Sequence, residues 1–176
     1  MFPKKFLVMS LFSFLSVFSK ADPLKVGDKA PVVSGVTETG ATLNLGDVYK
    51  KQPYTLVYFY PRAGTSGCTA QGCSLRDAYA DLTQHGVAVI GVSTDTPEAQ
   101  AKFKDAQHFP FTLIADPKKV VIGAFGVPTL SIPVLGEISK RQAFLIKDGT
   151  IVWADYKAST AKQAADVLKV LDAQKG

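Results

Sequence analysis

Tyr58-Phe59-Tyr60-Pro61-Arg62-Ala63-Gly64-Thr65-Ser66-Gly67-Cys68-Thr69-Ala70-Gln71-Gly72-Cys73-Ser74-Leu75-Arg76-Asp77 is the stretch that decides how this chain is read. It contains both cysteines of the protein, five positions apart. The run Tyr54 to Tyr60 is β-branched and aromatic without polar alternation, as a strand buried on both faces requires. Pro61, Gly64 and Gly67 then punctuate a loop. From Cys68 the apolar spacing turns helical, with Leu75, Ala78, Tyr79 and Leu82 on one side and Gly86 as the stop. Cys68 therefore falls in the first turn of a helix, where unpaired N–H groups favour an anion.

Outward from this stretch the same alternation continues. Val87 to Val92 reads as a second buried strand. Thr96-Pro97-Glu98 supplies an N-cap, an N1 proline and a first-turn acid for a helix ending near Gln107. Phe111 to Ile114 is a third strand, and Asp116-Pro117 opens a short helix through Ala124. Gly126 to Ser139, with Pro128, Pro133 and Gly136, reads as a long loop. Gln142 to Ile146 and Thr150 to Ala154 form a hairpin about Asp148-Gly149. Thr160-x-x-Gln163 has the form of a capping box for a last helix carrying Ala164, Val167, Leu168 and Leu171. On the N-terminal side, Pro31 to Val36 and Ala41 to Leu45 suit a small hairpin, followed by one helical turn over Gly46 to Lys51. This order predicts an α/β fold with a central mixed sheet and helical crossovers, of thioredoxin-like architecture. Ligands of such sheets gather beyond the carboxyl ends of strands, where Pro61 to Cys68 falls.

The first residues stand apart. Lys4 and Lys5 precede an apolar run, Phe6 to Phe18, and Ser19-Lys20-Ala21 suits a cleavage site. Residues 1–21 are read as a secretory signal peptide, with an uncleaved N-terminal anchor as the alternative, leaving 22–176 as one domain. That segment carries Lys4, Lys5 and Lys20 and no acid, so much of the net charge of +5 belongs to it. No dense basic cluster remains, which argues against nucleic acid as a partner. An exported, most simply periplasmic, chain with no stable membrane association after cleavage lives where disulfides persist. One Cys-x4-Cys pair and the separated His85 and His108 do not make a metal site, and no cofactor is implied.

A thiol with an ordinary pKa is only about 3% ionised at pH 7, and a helix N-terminus with a nearby cation corrects that. Thr65 can present a hydroxyl to the same space, and Gly67 admits backbone N–H groups. Arg62, Arg76 and the distant Arg141 are the candidate cations.

Pro61-x3-Thr65-x2-Cys68 matches the active-site motif of peroxiredoxins. The longer pattern through Tyr58-Phe59-Tyr60, Gly67-Cys68-Thr69, Gln71, Cys73 and Arg76-Asp77 resembles the bacterioferritin comigratory protein, or peroxiredoxin Q, branch. Gly91-Val92-Ser93-Thr94-Asp95, Ala115-Asp116-Pro117 and Arg141-x2-Phe144-Leu145-Ile146 extend the similarity from about Lys25 to the C-terminus. The resemblance implies a thiol peroxidase in which Cys68 attacks the peroxide. Thr65 and Arg141 would orient and stabilise the reacting atoms, with Pro61 and Gly67 shaping the pocket. Cys73 would resolve the sulfenic acid to a Cys68–Cys73 disulfide, reopened by a thioredoxin-like electron donor. It also implies a monomer. Ser66 departs from the proline common there, without loss of a catalytic atom.

Spacing adds a mechanical expectation. Five residues of continuous helix rise about 7.5 Å, placing the two Cα atoms roughly 8–9 Å apart, beyond the ~7 Å reach of a disulfide. The first turns must unwind for the bridge to form, and Gly72 would ease that. Two other readings stand beside the peroxidase. A thiol–disulfide oxidoreductase would want Cys-x-x-Cys. A structural-disulfide or metal-binding module would want an unstrained bridge or a third ligand.

Overall fold

The computed structural model describes residues 22–174, and the leader reading for 1–21 lies outside them. Its frame is a seven-stranded sheet in the order β2-β1-β5-β4-β3-β8-β9. β1 (Ser34–Thr37) and β2 (Thr42–Asn44) form the small N-terminal hairpin, followed by α1 (Leu45–Lys51). β3 (Tyr54–Phe59), β4 (Val87–Ser93) and β5 (Thr112–Ala115) are parallel neighbours. Helical crossovers join them, as a parallel sheet demands. α2 (Ser66–Asp77) and α3 (Tyr79–Gln84) fill the first crossover, and α4 (Pro97–Gln107) fills the second. After α5 (Val120–Ala124) the chain returns as β8 (Gln142–Lys147), antiparallel to β3, then as β9 (Thr150–Asp155), antiparallel to β8, and closes with α6 (Gln163–Ala173). Asp148 (φ 49°) and Gly149 (φ 70°) occupy the left-handed pair that a tight hairpin requires.

Both faces of the sheet are covered, which explains why β3 reads as unbroken apolar sequence. Leu56, Tyr58 and Tyr60 face one core with Leu75, Leu82, Phe103 and Val167 from α2, α3, α4 and α6. Val57 and Phe59 face the other, with Leu45, Tyr49, Val121, Ile122 and Phe125. The first core is the one that holds Cys68. No helix among the described residues is long and apolar enough to cross a membrane.

Four local expectations are corrected. The loop expected over Gly126 to Ser139 contains a second hairpin, β6 (Thr129–Ile132) with β7 (Gly136–Ser139). Its turn takes Val134 to φ 70° and Gly136 to φ 75°, and its apolar residues Leu130, Val134 and Leu135 are exposed. A hairpin that buries so little leaves only its turn residues visible in sequence. The helix expected from Cys68 to Gly86 is broken at Ala78 (φ −98°, ψ 12°), so that Leu75 and Leu82 are both fully buried on either side. The helix after Asp116-Pro117 starts later, at Val120. The Asp116 carboxylate accepts from the N–H groups of Val120 and Ile122 at its first turn. The capping box at Thr160 and Gln163 does not form, because the Gln163 side chain turns inward. By contrast Thr96 caps α4 as expected, accepting from the Ala99 N–H at 3.3 Å.

Candidate active site

β3 delivers the chain to Pro61 at the carboxyl edge of the parallel strands, and the loop to Thr65 turns it into α2. Asp95, just after β4, fixes that loop by accepting the Ala63 N–H at 2.7 Å. Ser93 supports Asp95 at 2.6 Å, and Gln100 of α4 ties Ser93 to the Tyr60 hydroxyl. The loop thus rests on a buried polar chain anchored in β3, β4 and α4.

Cys68 lies in the first turn of α2 with 1% of its surface exposed. The Arg141 guanidinium, at the entry of β8, donates from Nη2 to the Cys68 sulfur at 3.4 Å. β8 is the antiparallel neighbour of β3, so sheet pairing brings Arg141 to the mouth of the Pro61 loop, beside a cysteine 73 residues away in sequence. Gly67 makes room for it: a Cβ there would sit 3.2 Å from Nη2. Of the three candidate cations, Arg141 reaches Cys68. Arg76 instead donates to Asp77 and, from Nη1, to the Gln107 carbonyl at 2.8 Å, beside Cys73. Arg62 is exposed on the loop.

Both cysteines are free thiols within one continuous helix. Cys73 is half-buried and its Sγ faces the Gln107 side-chain oxygen at 3.6 Å. Pro61 is half-buried beside the loop. Thr65 directs its hydroxyl to a partner other than the sulfur. It is exposed at the N-cap position, and its hydroxyl donates to the Arg62 carbonyl at 3.0 Å.

Three residues of this neighbourhood were given no role by the sequence reading, although Gln71 and Tyr58 lie in the pattern that it quotes. Gln71 is fully buried and accepts from Arg141 Nη1, then donates from Nε2 to Gln163 at 2.7 Å. The Tyr58 hydroxyl is buried without a hydrogen-bond partner. Desolvation above all, then the two nearby thiols, push its ionisation well above the ordinary tyrosine range. Phe109 presses its ring on Gly72, where a Cβ would lie 2.4 Å from Cζ. Gly72 is therefore demanded by packing, whatever it contributes to unwinding. For Gln71, its place three residues after a first-turn cysteine was a sequence signal, since i and i+3 share a helix face. Among the described residues no cluster of His, Cys, Asp or Glu is arranged to hold a metal ion.

Residues 26–154 match the AhpC/TSA family model. The chain belongs to the AhpC/TSA family. It is 35% identical over 156 residues to a putative peroxiredoxin of Mycobacterium tuberculosis, covering 87% of this chain and 98% of that one. To peroxiredoxin Bcp of Escherichia coli it is 44% identical over 106 residues, 60% of this chain and 67% of that protein. The crystal structure of peroxidoxin BcpB from M. tuberculosis superposes with a TM-score of 0.77 at 28% identity, covering 85% of this chain and 97% of the other. Peroxiredoxin Q of Xanthomonas campestris gives 0.72 at 25% identity, over 82% and 92%. These relatives place the chain among peroxiredoxins of the Bcp/PrxQ branch, a family of thiol-dependent peroxidases on a thioredoxin-like fold.

Proposed function

We propose that this peroxiredoxin reduces hydrogen peroxide and organic hydroperoxides through Cys68, with Cys73 as the resolving thiol. The observation that carries the reading is the Arg141 guanidinium 3.4 Å from a buried sulfur at a helix N-terminus. A guanidinium beside the sulfur stabilises the negative charge that develops on the departing oxygen. The Cys68 thiolate attacks one peroxide oxygen and the O–O bond breaks. The other oxygen leaves as water or an alcohol after taking a proton, and Cys68 becomes a sulfenic acid. Pro61 and Gly67 wall the approach. Thr65 takes part by releasing the Arg62 carbonyl and turning its hydroxyl to the bound peroxide.

Cys73 then attacks the Cys68 sulfur, water leaves, and a disulfide links the two. Both residues start in one helix, so α2 unwinds for this step and reforms after a thioredoxin-like dithiol reduces the bridge. In this reading the leader 1–21 directs the enzyme, as a monomer, to the periplasm, and its donor is supplied there.

Peroxide consumption with dithiothreitol as reductant is measured for the parent, Cys68→Ser and Cys73→Ser. The expected result is turnover by the parent and none by Cys68→Ser. Cys73→Ser is expected to hold a sulfenic acid on Cys68 that dimedone traps. Far-UV circular dichroism of the oxidised parent is expected to show loss of helix. Peroxide turnover by Cys68→Ser would overturn the assignment, as would the same helix content in both redox states for the unwinding step.

A further inference from the structure

Arg141 can only donate, so the partner that holds its second edge must offer an oxygen. Gln71 does so with Oε1. This fixes the orientation of the Gln71 amide, whose Nε2 must then find an acceptor inside the protein. The acceptor is Oε1 of Gln163, at 2.7 Å, on the first residue of α6. Gln163 is in turn fixed with its own Nε2 inward, buried and without a partner. Both glutamines are fully buried. The polarity of the whole chain, from Cys68 through Arg141 and Gln71 to Gln163, is thus dictated by the guanidinium at one end.

For stability alone this is a poor use of buried space. Two apolar side chains of the same shape would leave no orphaned N–H group at the far end. What the amides do provide is a rigid lateral hold on Arg141 from a second helix. The two helices are joined again close by: the Ser74 hydroxyl accepts from the Ala164 N–H at 3.3 Å, and it lies 3.5 Å from the Thr160 carbonyl.

We propose that Gln163 is a positioning residue for the peroxidatic step, acting through Gln71 to hold the Arg141 guanidinium against Cys68. The inference rests on the reading of Cys68 given above. It also has a consequence for the cycle. Gln71 lies between Cys68 and Cys73, in the turn that must unwind for the disulfide to form. Bridging the cysteines therefore takes Gln71 away from Arg141 and Gln163 together, and the hold exists only in the reduced fold.

The test uses the full chain in a Cys73→Ser background, so that the peroxide step is isolated. Two readouts are taken: the rate of Cys68 oxidation by hydrogen peroxide, and the ratio of Cys68 alkylation rates with iodoacetate and iodoacetamide. The first reagent is an anion and the second is neutral, so their ratio reports whether a guanidinium stands at the sulfur. Loosened packing would change both alkylation rates alike. Gln163→Leu removes the acceptor and is expected to slow oxidation about tenfold, with a severalfold drop in the ratio. Gln163→Glu keeps an acceptor oxygen and is expected to restore both. Should Gln163→Leu fail to fold, Gln163→Met fills the same length and is read in the same way.

An unchanged rate and ratio in the apolar variant would overturn the proposal. So would equal impairment of the leucine and glutamate variants with the ratio intact, which is the mark of a packing role. The two levels of inference fail separately. A parent that never reacts with peroxide refutes the assignment of Cys68, while the alkylation ratio still reports whether Gln163 places the guanidinium.

Discussion

The first and second turns of α2 carry the two cysteines, and their surroundings differ in kind. Cys68 is sealed at 1% exposure, and its sulfur meets a guanidinium that is itself held by a buried amide. Cys73 is half-buried, and its thiol faces the Gln107 amide oxygen at 3.6 Å beside an Arg76 guanidinium already paired with Asp77 and the Gln107 carbonyl. One turn is anchored to the sheet through β8. The next leans on the end of α4 through Gln107 and Phe109. The difference fits the cycle proposed above, in which the anchored sulfur meets the peroxide and the less tightly held one moves to resolve it.

The largest test of that contrast removes the cation. Arg141→Met keeps much of the side-chain length and leaves Gln71 Oε1 without its donor. Oxidation of Cys68 by peroxide is expected to slow by about 10²–10³, comparable to loss of a donor from an oxyanion site. Alkylation of Cys73 in a Cys68→Ser background is expected to be untouched by the same substitution. Stopped-flow oxidation and timed alkylation read the two arms. A matched loss at both thiols would mean that Arg141 supports the helix as a whole and not the sulfur beside it.

Gly72 tests the anchor on the other side. A methyl group there meets the Phe109 ring at 2.4 Å, and that ring packs among Phe103 and Phe111 with centroids 5.0 and 5.1 Å away. Gly72→Ala therefore adds helix propensity but overfills a core, at a cost of about 1–3 kcal/mol. Thermal unfolding is expected to show the loss, and Phe109→Leu in the same chain is expected to recover part of it. The middle of α2 should also stand off from α4, so Cys73 alkylates faster and the disulfide forms sooner. A slower disulfide would return Gly72 to the role that its sequence suggested, a weak link in the helix.

That pair of explanations for Gly72 marks the limit of what the sequence disclosed. β3, β4 and β5 were legible because double burial forces continuous apolar runs, and the Thr96 cap because a side chain and an N–H three residues on are local partners. The motif around Cys68 was legible for the same reason, since Pro61, Thr65, Gly67 and Cys68 lie in one short stretch. Arg141 stood as one of three candidate cations and was singled out only by resemblance, because nothing near it in sequence says that β8 pairs beside β3. Gln71 and Gln163 lie 92 residues apart and have no shared local pattern, and Gln163 was even misread as a helix cap. The break at Ala78 and the β6–β7 hairpin were hidden differently. One uses an ordinary residue at a non-helical angle, and the other buries too little to impose a period.

The smallest expected effect concerns the hold on Cys73. Gln107→Ala removes the oxygen that faces the thiol while leaving the backbone carbonyl that accepts from Arg76. A thiol donates weakly, so the bond lost is worth well under ~1 kcal/mol. Alanine is also the better helix former at the end of α4, by a few tenths of a kcal/mol, so thermal stability should barely move. What should change is the freedom of Cys73. Its alkylation and the closure of the disulfide are expected to quicken about twofold to threefold, with the peroxide step unaltered. Single-turnover kinetics separate the two phases, the first reporting Cys68 and the second Cys73. If the first phase moved with the second, the two turns of α2 would be behaving as one unit, and the division of labour between anchored and travelling sulfur would be lost.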